Sequence, residues 1–335
     1  AGLDAPTAIA NANALDGMGL LPRPVARPLS VSAATAIDLN TLSGGALAAN
    51  VGDLYTGYIK LPYYQFASSG AGDYAYLQNN WRPDLTLAGA LGATVPTDVD
   101  GTYNVTYRYP FAARQVTESV PLQVTLPDPA VVPTAFDSGG ANCGQLRVAL
   151  GGYPTVIYIH GITSDRASVI ALAHSLSGQC VATVAIDLPV HGIPSSSALA
   201  GVLNVENSGM IPFDVLYGAD APRERHFNVV SGPTGLPQAM NFDTPSAAID
   251  RSGAWFINLG RLQNTRDNLR QGVMDMLNLN ASLGAIAALD LDGDAEELKL
   301  SSTQHYRRFL QCGFHRVADA DAFDHAFEFL ADRPR

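Results

Sequence analysis

A histidine–glycine pair directly after a short apolar run is the feature of this sequence with the clearest chemical use. The run VIYI ends at His160-Gly161, and Ile162 and Thr163 follow. Glycine has no Cβ, so the backbone beside it can approach a ligand closely, and N–H groups in such a turn can stabilise a negatively charged oxygen. We therefore predict that residues 161–163 form an oxyanion-binding turn. The alternative is a tight turn between a strand and a helix that has no catalytic role.

The elements that must position this turn are a strand, a helix and a second strand. PTVIYIHG and CVATVAIDLP are short apolar runs, typical of buried strands, and the segment between them carries Val169, Leu172 and Leu176 at helical spacing. Two strands and a helix within about 35 residues form a βαβ unit, so this half of the chain is predicted to be α/β with a parallel sheet. Functional groups in such sheets lie beyond the carboxyl ends of the strands, where the second run brings Asp187 and His191.

The sequence before this unit predicts a different organisation. Residues 1–50 show no sustained period and are interpreted as an extended arm. TGYIKLPYYQF, GTYNVTYRYPF and VPLQVTLP have the β-branched, aromatic and alternating patterns of strands. We therefore predict an N-terminal arm and β-rich domain over residues 1–138, an α/β core over 139–300 and an atypical tail over 301–335.

A long insertion is predicted inside the α/β core. Residues 193–262 are rich in Gly, Pro, Ser and Asn and interrupt the alternation of strands and helices, which favours a segment that caps a site. Within the insertion, Arg223-Glu224-Arg225-His226 is expected to be an exposed, ion-paired patch that contributes little to stability.

Helical spacing returns after the insertion, in NTRDNLRQGVMDMLNLNASL. Thr265 is the predicted N-cap, because a threonine side-chain oxygen can accept a hydrogen bond from the first helical turn. The predicted buried stripe consists of Leu269, Val273, Met276 and Leu277.

Five stretches of the chain resemble the bacterial extracellular, virulence-factor-type lipases, a branch of the α/β hydrolases with a β-rich N-terminal domain. They are GYIKLPYYQF, VPLQVTLP, VIYIHGITSDRASVIALAHSLS, VATVAIDLPVHGI and SGAWFINLGRLQNTRDNLRQGVMDMLNL, within about residues 57–290. The resemblance implies an α/β-hydrolase-like core, a secreted or cell-surface location, and hydrolysis of small-molecule or lipid esters by a Ser-His-Asp mechanism without a cofactor. It supports Gly161, Ile162 and Thr163 as the oxyanion turn.

The resemblance also implies a Gly-x-Ser-x-Gly elbow after the last helix, and the sequence contains none. The elbow's glycines let a strand turn sharply into a helix, which leaves the serine exposed. At the corresponding place, Leu298–Leu300 is a candidate strand, and Ser301 or Ser302 lies at the turn that would follow. We predict Ser302 as the candidate nucleophile.

The tail over residues 301–335 contains three of the seven histidines. His315 is the candidate acid–base partner of the serine, with His325 as the other choice and an aspartate of the same segment to orient it. The alternative is a helix that turns an apolar stripe inward and leaves its His and Asp residues solvated. A further hypothesis explains the missing elbow by a chain that is truncated or out of frame after about Leu300.

The acidic segment DLDGDAEEL has the spacing of a calcium loop. Asp290, Asp292 and Asp294 alternate along it, and carboxylate oxygens at this spacing suit Ca²⁺. An EF-hand has Gly at the sixth position and Glu at the twelfth, where this sequence has Ala295 and Ser301. A solvated acidic turn is therefore the favoured alternative, and no other cofactor is implied.

Charge and composition disfavour two classes of partner. The 335 residues include 20 basic and 31 acidic side chains, a formal net charge of −11, and no basic stripe, so phosphate backbones of nucleic acids are repelled. No apolar run reaches the roughly 18 residues of a transmembrane helix. The chain begins at Ala1 without a methionine, which allows a leader to have been removed and permits secretion.

The three cysteines leave two arrangements open. Cys143, Cys180 and Cys312 can form one disulfide and one free thiol in an oxidising compartment, or they can be three buried thiols. The function is open between two classes as well: an ester hydrolase, or a non-catalytic fragment or module that binds lipids or other hydrophobic ligands under the cap.

Overall fold

The structure is a computed structural model that describes residues 5–17, 23–70, 72–291 and 309–311. Its strands are β1 (Leu29–Val31), β2 (Ile37–Asp38), β3 (Gly52–Tyr63), β4 (Val116–Pro127), β5 (Thr155–Ile159), β6 (Ala182–Ile186), β7 (Val229–Ser231), β8 (Pro237–Ala239) and β9 (Phe309–Gln311). Its α-helices are α1 (Ala5–Gly17), α2 (Leu39–Leu42), α3 (Ala75–Gln78), α4 (Leu85–Leu91), α5 (Cys143–Leu150), α6 (Ile170–Ser177), α7 (Ala200–Leu203), α8 (Phe213–Tyr217) and α9 (Leu262–Ala287).

One mixed sheet organises the described part of the chain. Its strand order is β1-β3-β4-β6-β5-β9, with β2 also paired to β3. β4 is antiparallel to β3 and to β6, whereas β5 is parallel to β6 and to β9. The strands β3, β6, β5 and β9 therefore run in the same direction and end at one edge of the sheet. The predicted βαβ unit is confirmed, because α6 lies between the parallel strands β5 and β6.

The sheet is continuous across residue 138, where the sequence predicts a boundary between two domains. β3 and β4 belong to the predicted β-rich domain, and β4 pairs with β6 of the predicted core, for example Val124 with Val184. Ile59, Leu122 and Ile157 lie in a single hydrophobic core. The separate β-rich domain is therefore corrected: its long strands need the α/β strands as neighbours, because this pairing satisfies their backbone groups and buries their apolar face.

The alternating pattern of VPLQVTLP places every second residue of β4 on one face of the sheet. Val120, Leu122 and Val124 lie on this face in the same core cluster as Met276 and Leu279 of α9. On the other face, α6 contacts β4 and β6. The sheet is thus covered by helices on both sides, as an α/β fold requires.

The helix α9 differs from its prediction in both its start and its buried face. It begins at Leu262, three residues before the predicted cap Thr265. Met276 is buried as expected, whereas Leu269 and Val273 are 49% and 60% exposed; Leu277 is exposed as well. The buried face is mainly polar and includes Asn264, Asp267, Asn268, Gln271, Asp275, Asn278 and Ser282.

The polar face of α9 is buried because it supplies hydrogen bonds to irregular backbone. The Asn264 amide donates to the carbonyls of Tyr76 and Asn79 at 2.7 and 2.8 Å. Gln271 accepts from the N–H of Tyr64 at 2.9 Å and donates to the Pro62 carbonyl at 2.9 Å. Tyr64, Tyr76 and Asn79 lie outside the strands of the sheet, and leaving their backbone groups unpaired in the interior would be costly. In the part of the chain that the structure describes, no helix is both long and apolar enough to cross a membrane.

A disulfide joins the start of α5 to the residues before β6. Cys143 and Cys180 are bonded to each other, with a Cα–Cα distance of 5.0 Å and a sequence separation of 37. Both half-cystines lie in the main core, 0% and 3% exposed. Of the two arrangements that the sequence leaves open, the structure has the single disulfide, and Cys312 lies outside the described residues.

Candidate functional site

The candidate site lies at the edge of the sheet where the parallel strands end. Tyr64 follows β3, His160 follows β5, and Asp187 follows β6. The segments 160–165 and 187–192 therefore leave the sheet side by side, and the insertion begins directly after the second of them. This is the position at which open α/β sheets carry their functional groups.

The segment 161–164 forms a tight turn. The N–H of Ser164 donates to the Gly161 carbonyl at 3.1 Å, and Thr163 has a φ of +67°. A positive φ at the third position only is the geometry of a type II turn. The N–H groups of Gly161 and Ile162 have no acceptor among the described residues. They are therefore available to an external oxygen.

The third predicted donor is not available. The N–H of Thr163 donates to His191 Nε2 at 3.3 Å, a contact within the chain. Of the three predicted donors, only Gly161 and Ile162 therefore keep an N–H group without an acceptor among the described residues. The sequence could not distinguish the three, because the histidine that occupies the Thr163 N–H lies 28 residues further along the chain.

His160 is a buried structural group at the junction of two strand ends. Its Nδ1 lies 2.9 Å from the Gly161 carbonyl, and its Nε2 accepts the N–H of Leu188 at 3.0 Å. Burial lowers the pKa of His160, although Asp187, 3.7 Å away, acts in the opposite direction. Its two ring nitrogens are therefore committed to the backbone, and the imidazole holds the ends of β5 and β6 together.

Arg166 forms a buried ionic centre beneath the turn. It is 1% exposed, and its guanidinium binds the carboxylates of Asp187 and Glu224 and the Leu203 carbonyl. Burial alone would raise the pKa of Asp187, but Arg166 and His160 outweigh this effect, so the pKa is lowered. The loop after β5, the loop after β6 and the insertion are held by one side chain.

A second ionic centre joins the insertion to the sheet and to α9. Arg225 donates to the Asp187 carbonyl at 2.7 Å and pairs with Asp275 at 2.8 Å. Glu118 of β4 lies 3.6 Å from the same guanidinium. Burial raises the pKa of Glu118 to about 7; Arg225 opposes this shift, and Asp275 adds to it.

The patch at residues 223–226 is therefore not the exposed, weak feature that the sequence predicts. Glu224, Arg225 and His226 are 0%, 2% and 2% exposed, and only Arg223 has a half-exposed side chain. The correction has a physical reason: each buried charge has an opposite charge at close range on another element, and burial without such a partner would be prohibitive.

Sequence reasoning did not identify Arg166 as a site residue, although one signal was present. Arg166 stands at the beginning of a helical segment, where the positive end of the helix dipole disfavours a cation. A cation at such a position indicates a specific carboxylate partner. The identity of that partner, Glu224, depends on the tertiary fold.

An aromatic cluster lies beside the turn. Ile162 packs against a buried group that contains Tyr63, Tyr76, Phe227 and Phe256. Phe66, Tyr74 and Trp255 are partly buried against the same group. These partly buried side chains and Ile162 are the apolar groups near the two N–H groups that could contact an apolar part of a ligand.

The other predicted site residues are not brought to this edge by any described contact. Ser301, Ser302, His315 and His325 lie outside the described residues, as do Asp292 and Asp294 of the predicted calcium loop. Asp290 is described, and no group of three or more His, Cys, Asp or Glu side chains that could hold a metal ion occurs within the described ranges.

Comparisons with family models, with curated proteins and with solved structures find no match for this chain.

Proposed function

We propose that the chain is a carboxylic ester hydrolase of the α/β-hydrolase type that acts on acyl esters, with Gly161 and Ile162 as its oxyanion donors. The observation that carries the proposal is the turn itself. Two adjacent N–H groups without an acceptor lie at the carboxyl end of an inner strand, in a turn held by buried contacts. Preorganised donors of this kind stabilise the charge that develops on an ester oxygen during attack.

The position of the turn in the sheet supports the α/β-hydrolase assignment. In that fold, one oxyanion donor comes from the loop after an inner strand, and the nucleophile stands at a strand-to-helix turn at the same edge. Here β5 lies between β6 and β9, and the loop that follows β5 contains Gly161 and Ile162.

The reaction follows the serine-hydrolase scheme. Ser302 is the proposed nucleophile and His315 the proposed base; both lie outside the described residues. The Ser302 Oγ attacks the ester carbon while its proton passes to His315, and the carbonyl oxygen becomes an oxyanion bound at 161–162. Collapse breaks the ester C–O bond, and the alcohol leaves with the proton from the histidine. Water then cleaves the acyl-enzyme in the same way and releases the acid.

The substrate class and the compartment are proposed on separate observations. Ile162, Phe66, Tyr74 and Trp255 are partly buried members of the aromatic cluster beside the turn, and their apolar side chains suit the acyl chain of a small or lipid ester. The Cys143–Cys180 disulfide supports a secreted or cell-surface protein, because such bonds persist in oxidising compartments.

A second candidate function is a non-catalytic module that binds hydrophobic ligands. One observation favours it: each of the four histidines in the described ranges (His160, His174, His191 and His226) uses a ring nitrogen in a contact with a backbone carbonyl. None of these histidines is within hydrogen-bond reach of a described serine hydroxyl. A single experiment separates the hydrolase from the binding module.

The experiment combines turnover of p-nitrophenyl butyrate with labelling by a fluorophosphonate, located by mass spectrometry. We expect turnover and label on Ser301 or Ser302. The critical variant is Ile162→Pro, because proline fits the second position of a type II turn and removes the N–H. Its expected effect is a loss of kcat of about 10²- to 10³-fold, with the Ile162→Val variant close to wild type. The absence of both turnover and label would favour the binding module.

A further inference from the structure

Thr163 has a backbone conformation that its side chain does not favour. Its φ of +67° lies in the left-handed region, which is an outlier for a β-branched residue, and the third position of a type II turn usually carries glycine. Such a conformation persists only where surrounding contacts determine it. The backbone N–H of Thr163 is hydrogen-bonded to the side chain of His191.

His191 is arranged to accept a hydrogen bond at Nε2. It is 0% exposed, and its Nδ1 lies 2.8 Å from the Pro189 carbonyl. A carbonyl only accepts, so Nδ1 carries the proton and Nε2 keeps its lone pair. That lone pair faces the N–H of Thr163 at 3.3 Å.

The ring has little freedom to leave this position. Gly253 lies directly against it: a Cβ there would be 2.0 Å from His191 Nε2, and the φ of Gly253 is +65°. The rings of His160 and Phe256 pack on it with centroid distances of 4.8 and 5.0 Å. Burial, followed by the neighbouring His160, lowers the pKa of His191 to about 3.

The insertion reinforces the same junction. Ser252 donates its hydroxyl proton to the Ser164 carbonyl and accepts the N–H of Gly192 at 3.0 Å. Ser252 therefore bridges the loop after β5 and the loop after β6 directly beside Thr163. Among the hydrogen bonds of the described ranges, only the one to His191 engages the strained residue itself.

We propose that His191 is the positioning residue of the turn: its neutral imidazole holds Thr163 in the left-handed conformation and so keeps the N–H groups of Gly161 and Ile162 directed outward. The consequence for catalysis rests on the proposed ester hydrolysis, whereas the positioning itself does not. His191 does not act on the substrate, since both of its ring nitrogens contact the protein backbone.

The first test is amide hydrogen exchange of the folded chain, resolved to single residues. We expect the Thr163 N–H to exchange at least about tenfold more slowly than the Ile162 N–H. In His191→Leu, which removes the acceptor, this difference should disappear; in His191→Gln, whose side-chain oxygen can replace Nε2, it should be retained. Equal exchange of the two amides in the wild type, or a slow Thr163 amide in His191→Leu, would overturn the proposal.

The second test is a double-mutant cycle with Thr163→Gly. Glycine adopts a positive φ without strain, so with glycine at position 163 the turn depends less on the hydrogen bond to His191. We expect His191→Leu to lower kcat for p-nitrophenyl butyrate about tenfold with little change in KM, and Thr163→Gly to restore at least half of this loss on a logarithmic scale. A general packing role would give no rescue. His174→Leu, in α6 and remote from the turn, is the matched control.

The two proposals fail separately. A chain without esterase activity would refute the proposed function, and the exchange data would still decide the role of His191. If the backbone amides of β5 and β6 all exchange faster in His191→Leu than in the wild type, that variant has lost stability generally. The comparison of the wild type with His191→Gln then decides instead. In that case, loss of the slow Thr163 amide in the glutamine variant would count against the acceptor role.

Discussion

Arg166 and Glu224, which are 58 residues apart in sequence, form a two-point ion pair inside the protein. Nη2 of the arginine lies 2.7 Å from Oε1 of the glutamate, and Nη1 lies 2.9 Å from Oε2. The same carboxylate accepts the N–H groups of Ile193 and Val205, both at 2.9 Å. The insertion is therefore fastened to the loop after β5 through charged groups, and it is an integral part of the structure around the turn.

Removal of Arg166 should be strongly destabilising. Arg166→Met leaves the carboxylates of Asp187 and Glu224 without their cation in the interior, and we expect a loss of about 3–5 kcal/mol in the free energy of unfolding. Urea denaturation measures it. The matched control is Arg223→Met, whose half-exposed side chain should contribute less than about 1 kcal/mol. Similar losses for both variants would contradict a stabilising role for the buried ion pairs of Arg166 with Asp187 and Glu224.

The disulfide should contribute a large part of the stability. The Cys143→Ala/Cys180→Ala variant opens a loop of 37 residues, for which the chain-entropy estimate is about 4 kcal/mol. Urea denaturation of the oxidised chain and of this variant gives the difference. Alkylation of the unfolded, non-reduced chain provides the check: one thiol should react, and labelling of all three cysteines would refute the pairing.

The contribution of Glu118 to stability should fall as the pH rises from about 4.5 to 7. The pKa of Glu118 is 4.5 when unperturbed and about 7 in the folded chain, because burial raises it. Between these values the folded state holds a proton on Glu118 that the unfolded state has lost, so the contribution of Glu118 to the free energy of unfolding decreases from about pH 4.5 to pH 7. The pKa of Asp165 is also raised to about 7, first by burial, and has the same sign.

The Glu118→Gln variant tests this pH dependence. Its amide cannot ionise, so the thermal midpoint at pH 8 should rise relative to that at pH 5.5, by comparison with the wild type. Asp165 would retain its share of the slope. Asp243→Asn, at an exposed position, should leave the difference unchanged. If the thermal midpoint of Glu118→Gln changes between pH 5.5 and pH 8 by the same amount as that of the wild type, Glu118 does not bind a proton on folding.

Adjacent positions on α9 should differ in how strongly a change of polarity affects stability. Asn268 is 1% exposed and donates to the Phe256 carbonyl at 3.2 Å, whereas Leu269 is 49% exposed. Asn268→Leu leaves that carbonyl unpaired and should cost about 1–3 kcal/mol. Leu269→Gln should change stability by less than about 0.5 kcal/mol. Urea denaturation of the two variants decides between this arrangement and the apolar stripe predicted from the sequence.

Local patterns in the sequence predict the elements that depend on near neighbours. The βαβ unit over PTVIYIHG to CVATVAIDLP follows from two apolar runs and one helical period, and the turn after His160 follows from the glycine that ends the first run. The helix α9 is predicted as an element, but its buried face is not. Hydrophobic periodicity assumes an apolar neighbour, and α9 instead faces irregular backbone that requires polar partners.

The sequence by itself determined an α/β chain with an acidic charge and a candidate turn at 161–163. Only the tertiary structure decided that one sheet crosses residue 138 and that residues 224–226 are buried. It also decided that the N–H of Thr163 is hydrogen-bonded to His191 and not free. Each of these facts is a contact between residues far apart in sequence. Spacing along a chain determines which residues share a strand or a helix face, whereas the pairing of charges and hydrogen bonds between elements depends on how those elements pack.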